Sequence, residues 1–409
     1  MRRLAFLPVL SLLACGDKDD TTTDDTSAPD DTGAEILDCD DSVCVISGVI
    51  TEDLTLTSDV AWLLRGGVFI GDDENTTVLT IEPGTTVYGE SSTDGMLVVT
   101  RNSQILANGT AEAPIVFTSS KAPGSRARGD WGGLILNGNA KINTCSDEGD
   151  GCEAYGEGGT GWYGGSDDAD SSGVLSYVRV EFAGTLVSPD NELNGIAFQG
   201  VGSGTTIDNI HVHMNADDGV EFFGGAAEVS NVIVSAVGDD SLDWTDGWRG
   251  SATNVVLWQW EDAGDNGIEA DNNGEDNSLE PRSNPTLTNL TLVGVDGGDF
   301  SDIGILLREG TSASIDNAVV VNFGDACLDI DHDATYAQDI QLTNVKLSCA
   351  TAFKDDSADG NDSALDVEAV FNAGTGNELT SLTLDGFDVG GGGAVDGDDW
   401  TTWTEFPEN

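Results

Sequence analysis

Carboxylates recur in one register through the middle of this chain. Asp217-Asp218-Gly219-Val220-Glu221, Asp239-Asp240-Ser241-Leu242-Asp243 and Asp265-Asn266-Gly267-Ile268-Glu269 each place acids just before and just after an aliphatic residue, and Asp325-Ala326-Cys327-Leu328-Asp329 keeps the outline. Oxygen donors at this density suit a hard cation such as Ca2+, which takes about six to eight of them. The expected ligands are Asp217, Asp218, Glu221, Asp239, Asp240, Asp243, Asp265 and Glu269. The alternative is a solvated, salt-tolerant acidic surface, since no complete EF-hand loop or calcium-binding nonapeptide is present. Acid pairs beside a base could also cleave a polysaccharide. Arg179, Arg249, Arg308 and Lys346 are the basic candidates, and they share no motif. His211 and His213 sit two apart on one strand and could grip a transition metal. With only His332 elsewhere, they read instead as exposed polar residues. Trp248, Trp258 and Trp260 offer flat faces on which sugar rings could stack, whereas Trp244 falls in an inward register and reads as core.

Elements that could hold such a register are legible in a repeat. Asn209, Asn231, Asn254, Asn289, Asn317 and Asn344 are each followed by alternating apolar residues, at separations of 22, 23, 35, 28 and 27. Two short period-two strands per 22 or so residues are too few for a propeller blade but suit one coil of a parallel β-helix. A single coil cannot bury a core alone, so each must stack on the next. Asparagine tolerates left-handed backbone angles at a tight bend, and its amide can bond to its equivalent about 4.8 Å away on the next coil. Ile210, Val212, Val232, Val234, Val255, Leu257, Leu290 and Leu292 should then point inward, with Val220, Leu242, Ile268 and Leu328 as a second inward column continued by Phe222, Trp244 and Ile330. Asn272 to Ser283 reads as an insertion looping out between strands. Glu221, Asp243, Glu269 and Asp329 should stack outward, where aligned like charges are destabilising unless neutralised or solvated.

The rest of the chain sets the context. Its formal net charge is −59, which excludes nucleic-acid partners, because binding to phosphate backbones depends on basic patches. Residues 1–14 carry Arg2-Arg3 and an apolar run from Leu4 to Leu13, the charge and length of a secretory signal too short to span a bilayer. Residues 15–33 are almost wholly Asp, Thr, Ser and Gly and read as an extended, disordered acidic tether. Residues 34–349 form the expected β-helix, and 350–409 a last coil and C-terminal cap built from Phe371, Leu379, Leu382, Leu384, Phe387, Trp400, Trp403 and Phe406. The remaining cysteines fall as close pairs, Cys39 with Cys44, Cys145 with Cys152 and Cys327 with Cys349, the pattern of structural disulfides in an exported protein.

Two resemblances rest on particular stretches of the chain. Leu12-Leu13-Ala14-Cys15 followed by Gly16 resembles the bacterial lipobox, which implies lipidation of Cys15, a membrane held through that lipid as a partner, and sorting to the outer membrane or cell surface. Gly129-Asp130-Trp131-Gly132-Gly133, Tyr177-Val178-Arg179-Val180-Glu181-Phe182-Ala183-Gly184, Asn191-Glu192-Leu193-Asn194-Gly195 and Asp218-Gly219-Val220-Glu221-Phe222-Phe223-Gly224-Gly225 resemble a family of exported bacterial surface proteins, many of them lipoproteins. That resemblance covers roughly residues 60 to 350 and implies a right-handed, single-stranded parallel β-helix, an all-β solenoid. Arg128-Gly129-Asp130 spells an integrin tripeptide, but its last two residues belong to the family stretch, so it reads as coincidence. Aspartate pairs are present as in polygalacturonases, whereas the Gly-His-Gly and Arg-x-Lys motifs of those enzymes are not. The expectation is therefore a non-catalytic surface lipoprotein that binds or adheres, with a glycan or surface polymer as partner and cation assistance. The alternative is a polysaccharide lyase or hydrolase acting along a groove. Three or more carboxylates converging with a base would favour the enzyme, and an exposed Trp258 the binder.

Overall fold

A computed structural model describes residues 36–39, 42–145, 151–188, 191–298, 300–354, 366–382, 393 and 400–406, all inside the compact unit Gly33–Asn409. The expected signal segment, the lipidation site Cys15 and the tether lie outside the described residues. Twenty-six strands join one sheet. Within it only Ile36–Cys39 runs antiparallel to its neighbour, Val43–Ile50, and the disulfide Cys39–Cys44 closes that hairpin. Every other pairing in it is parallel and links one coil to the next, as a β-helix requires.

Each central coil contributes a bent strand of 8 residues and a shorter straight one. The bent strands Thr206–His213, Glu228–Ser235, Ser251–Trp258, Thr286–Val293 and Ser314–Val321 stack in register. Their bend is the asparagine. Asn209, Asn231, Asn254, Asn289, Asn317 and Asn344 all have φ between 53° and 62°, a region that a short amide side chain tolerates better than a bulky one. Asn254 Nδ2 donates to Asn231 Oδ1 at 2.8 Å and Asn317 Nδ2 to Asn289 Oδ1 at 2.7 Å, two rungs of the expected ladder, whereas Asn209 donates to Asp208 at 3.1 Å and Asn344 to Asp316 at 3.0 Å. On the coil below, Tyr177 takes the same left-handed bend (φ 51°).

Inward columns follow from the alternation. Ile210, Val232, Val255, Leu290 and Ala318 are mutual neighbours, and Val212, Val234, Leu257, Leu292 and Val320 form a second fully buried column. On the short strands Val220, Leu242, Ile268, Ile305 and Leu328 align, with Phe222, Trp244, Ala270, Leu307 and Ile330 two residues on. Each aliphatic side chain contributes about 1.5–3 kcal/mol on burial, but only because a neighbouring coil completes its surroundings. Ala270 is followed by no strand until Thr286, so the insertion loops out as expected.

Parallel pairing continues past residue 349, through Phe353–Lys354 and Glu378–Leu379. The helix Val367–Ala373 buries Val367 and Phe371 in the core, with the Phe371 ring 5.2 Å from that of Phe353. The Asp366 carboxylate accepts the Ala369 N–H at 2.9 Å and caps this helix. Trp403 and Phe406, expected in the cap, instead lie along the outer face of the bent strands, a correction developed below. Leu384, Phe387 and the Trp400 side chain lie outside what is described. The other two disulfides pair as expected, Cys145–Cys152 and Cys327–Cys349.

Candidate functional site

The acidic register becomes a column on the outer side of the short strands. Cα pairing sets Glu221 beside Asp243 and Asp243 beside Glu269. The turns before them add Asp217, Asp218, Asp239, Asp240 and Asp265. All eight expected ligands meet in four overlapping groups: Asp217, Asp218 and Asp239; Asp218, Glu221 and Asp243; Asp239, Asp240 and Asp265; Asp240, Asp243 and Glu269. Within each group one oxygen per residue lies within 4.8 Å of the others. Asp329 does not continue the column directly, because Leu306 stands between Glu269 and Asp329. Asp329 instead pairs with Lys354 at 3.9 Å.

These carboxylates are far from ordinary surface acids. Asp218, Glu221 and Asp240 are buried, and burial followed by the negative neighbours drives Asp218, Glu221, Asp240 and Asp243 well above the usual carboxylate range. Burial and then Asp239 push Asp217 up to about 7. Glu269 is pushed up to about 7 by burial, against the opposing Arg308, and Asp265 to about 6 by burial and Asp239. Two of the acids also brace the coils: Asp218 Oδ1 accepts the Asp240 N–H at 3.0 Å, and Asp240 Oδ1 the Asn266 N–H at 2.6 Å. Asn194 donates to Glu221, and Asp243 Oδ1 is buried without a hydrogen-bond partner.

Of the four basic candidates, Arg308 is the one that flanks this column. Arg308 binds Asp271 through Nε (2.8 Å) and Nη2 (3.1 Å) and also donates to Glu269. The pairing of Ile268–Ala270 with Ile305–Leu307 brings Arg308 to this edge. Nearby, Tyr163 donates to Asp246 Oδ2 at 3.1 Å, with Asp246 pushed up to about 6 by burial. Of the other basic candidates, Arg179 pairs with Glu181 and Glu405 and Arg249 with Asp168, away from the column. Asp130 of the Arg-Gly-Asp stretch is buried against Lys121 and Ser119, a structural role.

The aromatic candidates divide. Trp258 and Trp260 are partly exposed, their rings 5.8 Å apart, and they line a cleft of about 590 Å³ with Gln259, Glu261, Asp262 and Asp296. Trp248 does not join them. It is fully buried and stacked on Phe222 at 4.0 Å, and its indole donates to Ala227 O, so the sugar-binding expectation for Trp248 is corrected to a core role. The cause is the turn before it: Asp246 and Gly247 both have positive φ (55° and 87°) and swing the chain inward. Trp244 is core, as expected.

His211 and His213 face outward as the register requires, yet neither is exposed. Trp403 and Phe406 cover them, with Trp403 6.4 Å from His211 and Phe406 5.0 Å from His211 and 5.7 Å from His213. Ser235 Oγ lies 3.0 Å from His211 Nε2 and 2.8 Å from His213 Nδ1. Burial holds His211 well below its usual pKa, helped by His213 and Arg179. The described residues add no acid or cysteine group to these two rings of the kind a transition metal would need.

A family model described as a pectate-lyase-like beta helix domain matches residues 48–404. No curated protein matches the chain.

Proposed function

The chain belongs to the family of pectate-lyase-like β-helix domains, and from that premise we propose a non-catalytic binding or adhesion module, lipid-anchored through Cys15 at the outer membrane or cell surface. It engages polysaccharide with Ca2+ in its acidic column and with Trp258 and Trp260 as platforms for sugar rings. The observation that carries this reading is the column itself, four carboxylate groups with shared members and several of those members buried. Like charges withdrawn from water are unfavourable unless opposite charge accompanies them. Among the described residues the cation paired with this column is Arg308, at Glu269. The donor set is all oxygen, which suits Ca2+, and the partnerless Asp243 Oδ1 is the kind of atom such an ion takes up. Bound Ca2+ would supply the missing positive charge and a bridge to oxygens of a polymer. Binding by the full chain to a glycan array, lost when a chelator is added and restored by Ca2+, is the expected outcome. An array silent under both conditions would sink the reading.

One observation favours a lyase or hydrolase as a second reading: Asp240, Asp243 and Glu269 converge, and Arg308 sits against Glu269. Against it, Asp271 and Glu269 raise the Arg308 pKa further, the reverse of what a general base needs. Shortening of the bound polymer during incubation, abolished by Glu269→Gln, would replace binding with catalysis.

A further inference from the structure

The outward face of the short strands changes character at one coil. Val98, Ile135 and Ala197 are successive neighbours there, and the next residue in the column is Glu221. The three apolar residues are buried together with Ile142, Cys152 and Tyr163. The insertion that supplies this cover is stapled by the disulfide Cys145–Cys152 and includes a small hairpin, Ala154–Tyr155 paired with Trp162–Tyr163. It stops where the acids begin.

The hairpin uses its two faces differently. Neighbours along a strand point to opposite sides, and Tyr163 is turned to the protein, buried, with its hydroxyl on Asp246 Oδ2 at 3.1 Å. Tyr155 and Trp162, directly opposite one another, are turned to solvent, 57% and 47% exposed, with their rings 5.3 Å apart and edge to face. Covering the apolar strip needs only the inner face. The outer pair is nonetheless held in place, because the Gly156 N–H donates to Gly161 O across the turn and Asn137 Nδ2 to Thr160 O, each at 2.8 Å. Two aromatic rings fixed in water beside a strongly acidic face mark a contact surface. The turn between them reaches the acidic column. A Cβ on Gly158 would fall 2.7 Å from Leu193 Cδ2, and the residue after Leu193, Asn194, donates to Glu221. Glu157, in the same turn, is pushed above the usual carboxylate range by burial and then by Glu192, and its charge helps to raise Asp217 and Glu221. At the base of the hairpin Arg101 pairs with Glu153 and Asp73.

We propose that Tyr155 and Trp162 form the sugar-stacking wall of the acidic column, a subsite for one pyranose of a glycan chain that runs on over Glu221 and Asp243. A pyranose offers C–H faces to an indole or phenol ring and hydroxyls that donate to the Glu157 carboxylate. The polymer then meets stacking at one end of the column and Ca2+-bridged oxygens along it, so its register on the protein is fixed at the hairpin. The assignment rests on the reading above that the column meets a glycan; it adds a second aromatic pair, independent of Trp258 and Trp260.

Titration calorimetry of the full chain in Ca2+ with cellohexaose, mannohexaose and hexagalacturonate tests it, beside Trp162→Ala, Trp162→Phe, Tyr155→Ala and Trp258→Ala. Trp162→Ala should weaken binding of at least one hexasaccharide about tenfold or more, the loss expected for a central aromatic contact. Tyr155→Ala should weaken the same sugar less, and Trp162→Phe, which keeps a flat ring, should retain most of the affinity. Because both rings are exposed, the denaturant midpoint should stay within error of the unaltered chain, which separates lost stacking from lost fold. Sugar binding that neither Trp162→Ala nor Tyr155→Ala weakens, whatever Trp258→Ala does, overturns the subsite and leaves the glycan reading standing. Binding of none of the sugars by the unaltered chain overturns both together. Tyr155→Ala removes one ring and leaves Trp162 in place, so it decides the matter should Trp162→Ala fold poorly.

Discussion

Two outer faces of the same coils, built by the same stacking, end as opposites. On the short strands the outward column collects Glu221, Asp243 and Glu269. On the bent strands the matching columns hold Arg179, His211, Ile233 and Val256, and Glu181, His213, Ser235 and Trp258, and the chain's own C-terminal residues cover part of them. The inward columns are aliphatic or aromatic on both sides. The difference teaches that a solenoid fixes only its interior. Each outward residue stands about 4.8 Å from its counterpart on the next coil, so acids that recur in register become a column and apolar residues that do so a strip that needs cover.

The contrast is broken most completely from within. Trp244 is fully buried behind the acidic column, with its indole bonded to Thr311 Oγ1 at 3.1 Å. Trp244→Ala should cost about 3–5 kcal/mol, read as a lower denaturant midpoint, with both faces lost in one transition. A midpoint within error of the unaltered chain would mean that the coils do not share one core.

Next in size is the response of the acidic face to pH. A carboxyl whose folded pKa is raised contributes stability below its unfolded value of about 4, and this is lost as pH rises through the folded value. Asp217 and Glu269 therefore place the loss between about pH 4 and pH 7. In chelator the protein should melt at a higher temperature at pH 5 than at pH 8, and Ca2+ should remove most of the difference. Asp243→Asn should raise the denaturant midpoint at pH 8 and change it less at pH 5, because burial and the neighbouring acids drive the Asp243 carboxyl well above its usual range. The covered face runs the other way. His211, with a depressed pKa, contributes above about pH 6.5 and less as pH falls, so melting that worsens steadily on acidification would show the histidine patch outweighing the acids.

A smaller effect sharpens the contrast at the bend both faces share. Asn254→Ala removes the amide bond to Asn231 and puts alanine, which tolerates left-handed angles less well than asparagine, at φ 62°, at about 1–2 kcal/mol. Asn254→Gly should cost less, since glycine adopts that angle readily; equal losses would place the whole effect in the hydrogen bond. Smallest is Glu405→Gln. The Arg179–Glu405 pair is 3.0 Å long, but Glu405 is 69% exposed, so its loss should change stability by less than about 1 kcal/mol.

Much of this was legible because it is local and periodic. Two-residue alternation after each asparagine marked the inward columns, and the distance from those columns to the acids gave the eight carboxylates their common face. What was not legible depended on turns or on distant chain. Alternation does not carry through the left-handed pair Asp246-Gly247, so Trp248 was placed on the wrong side. Ile305 lacks the acidic flank that marks its counterpart Ile268, because Leu306 stands where Ile268 has Glu269. His211 and His213 were given the correct direction and the wrong exposure, because Trp403 and Phe406, nearly two hundred residues later, cover them. No periodicity in the coil announces such a return.

The carboxylates of Asp218 and Asp240 each accept a backbone N–H from the following coil. Ionic conditions at the outer wall are thereby felt at the seams that hold successive coils together. Tension along the β-helix axis would cross those same seams, so the mechanical strength of the stacked coils would track the salts of the surrounding medium.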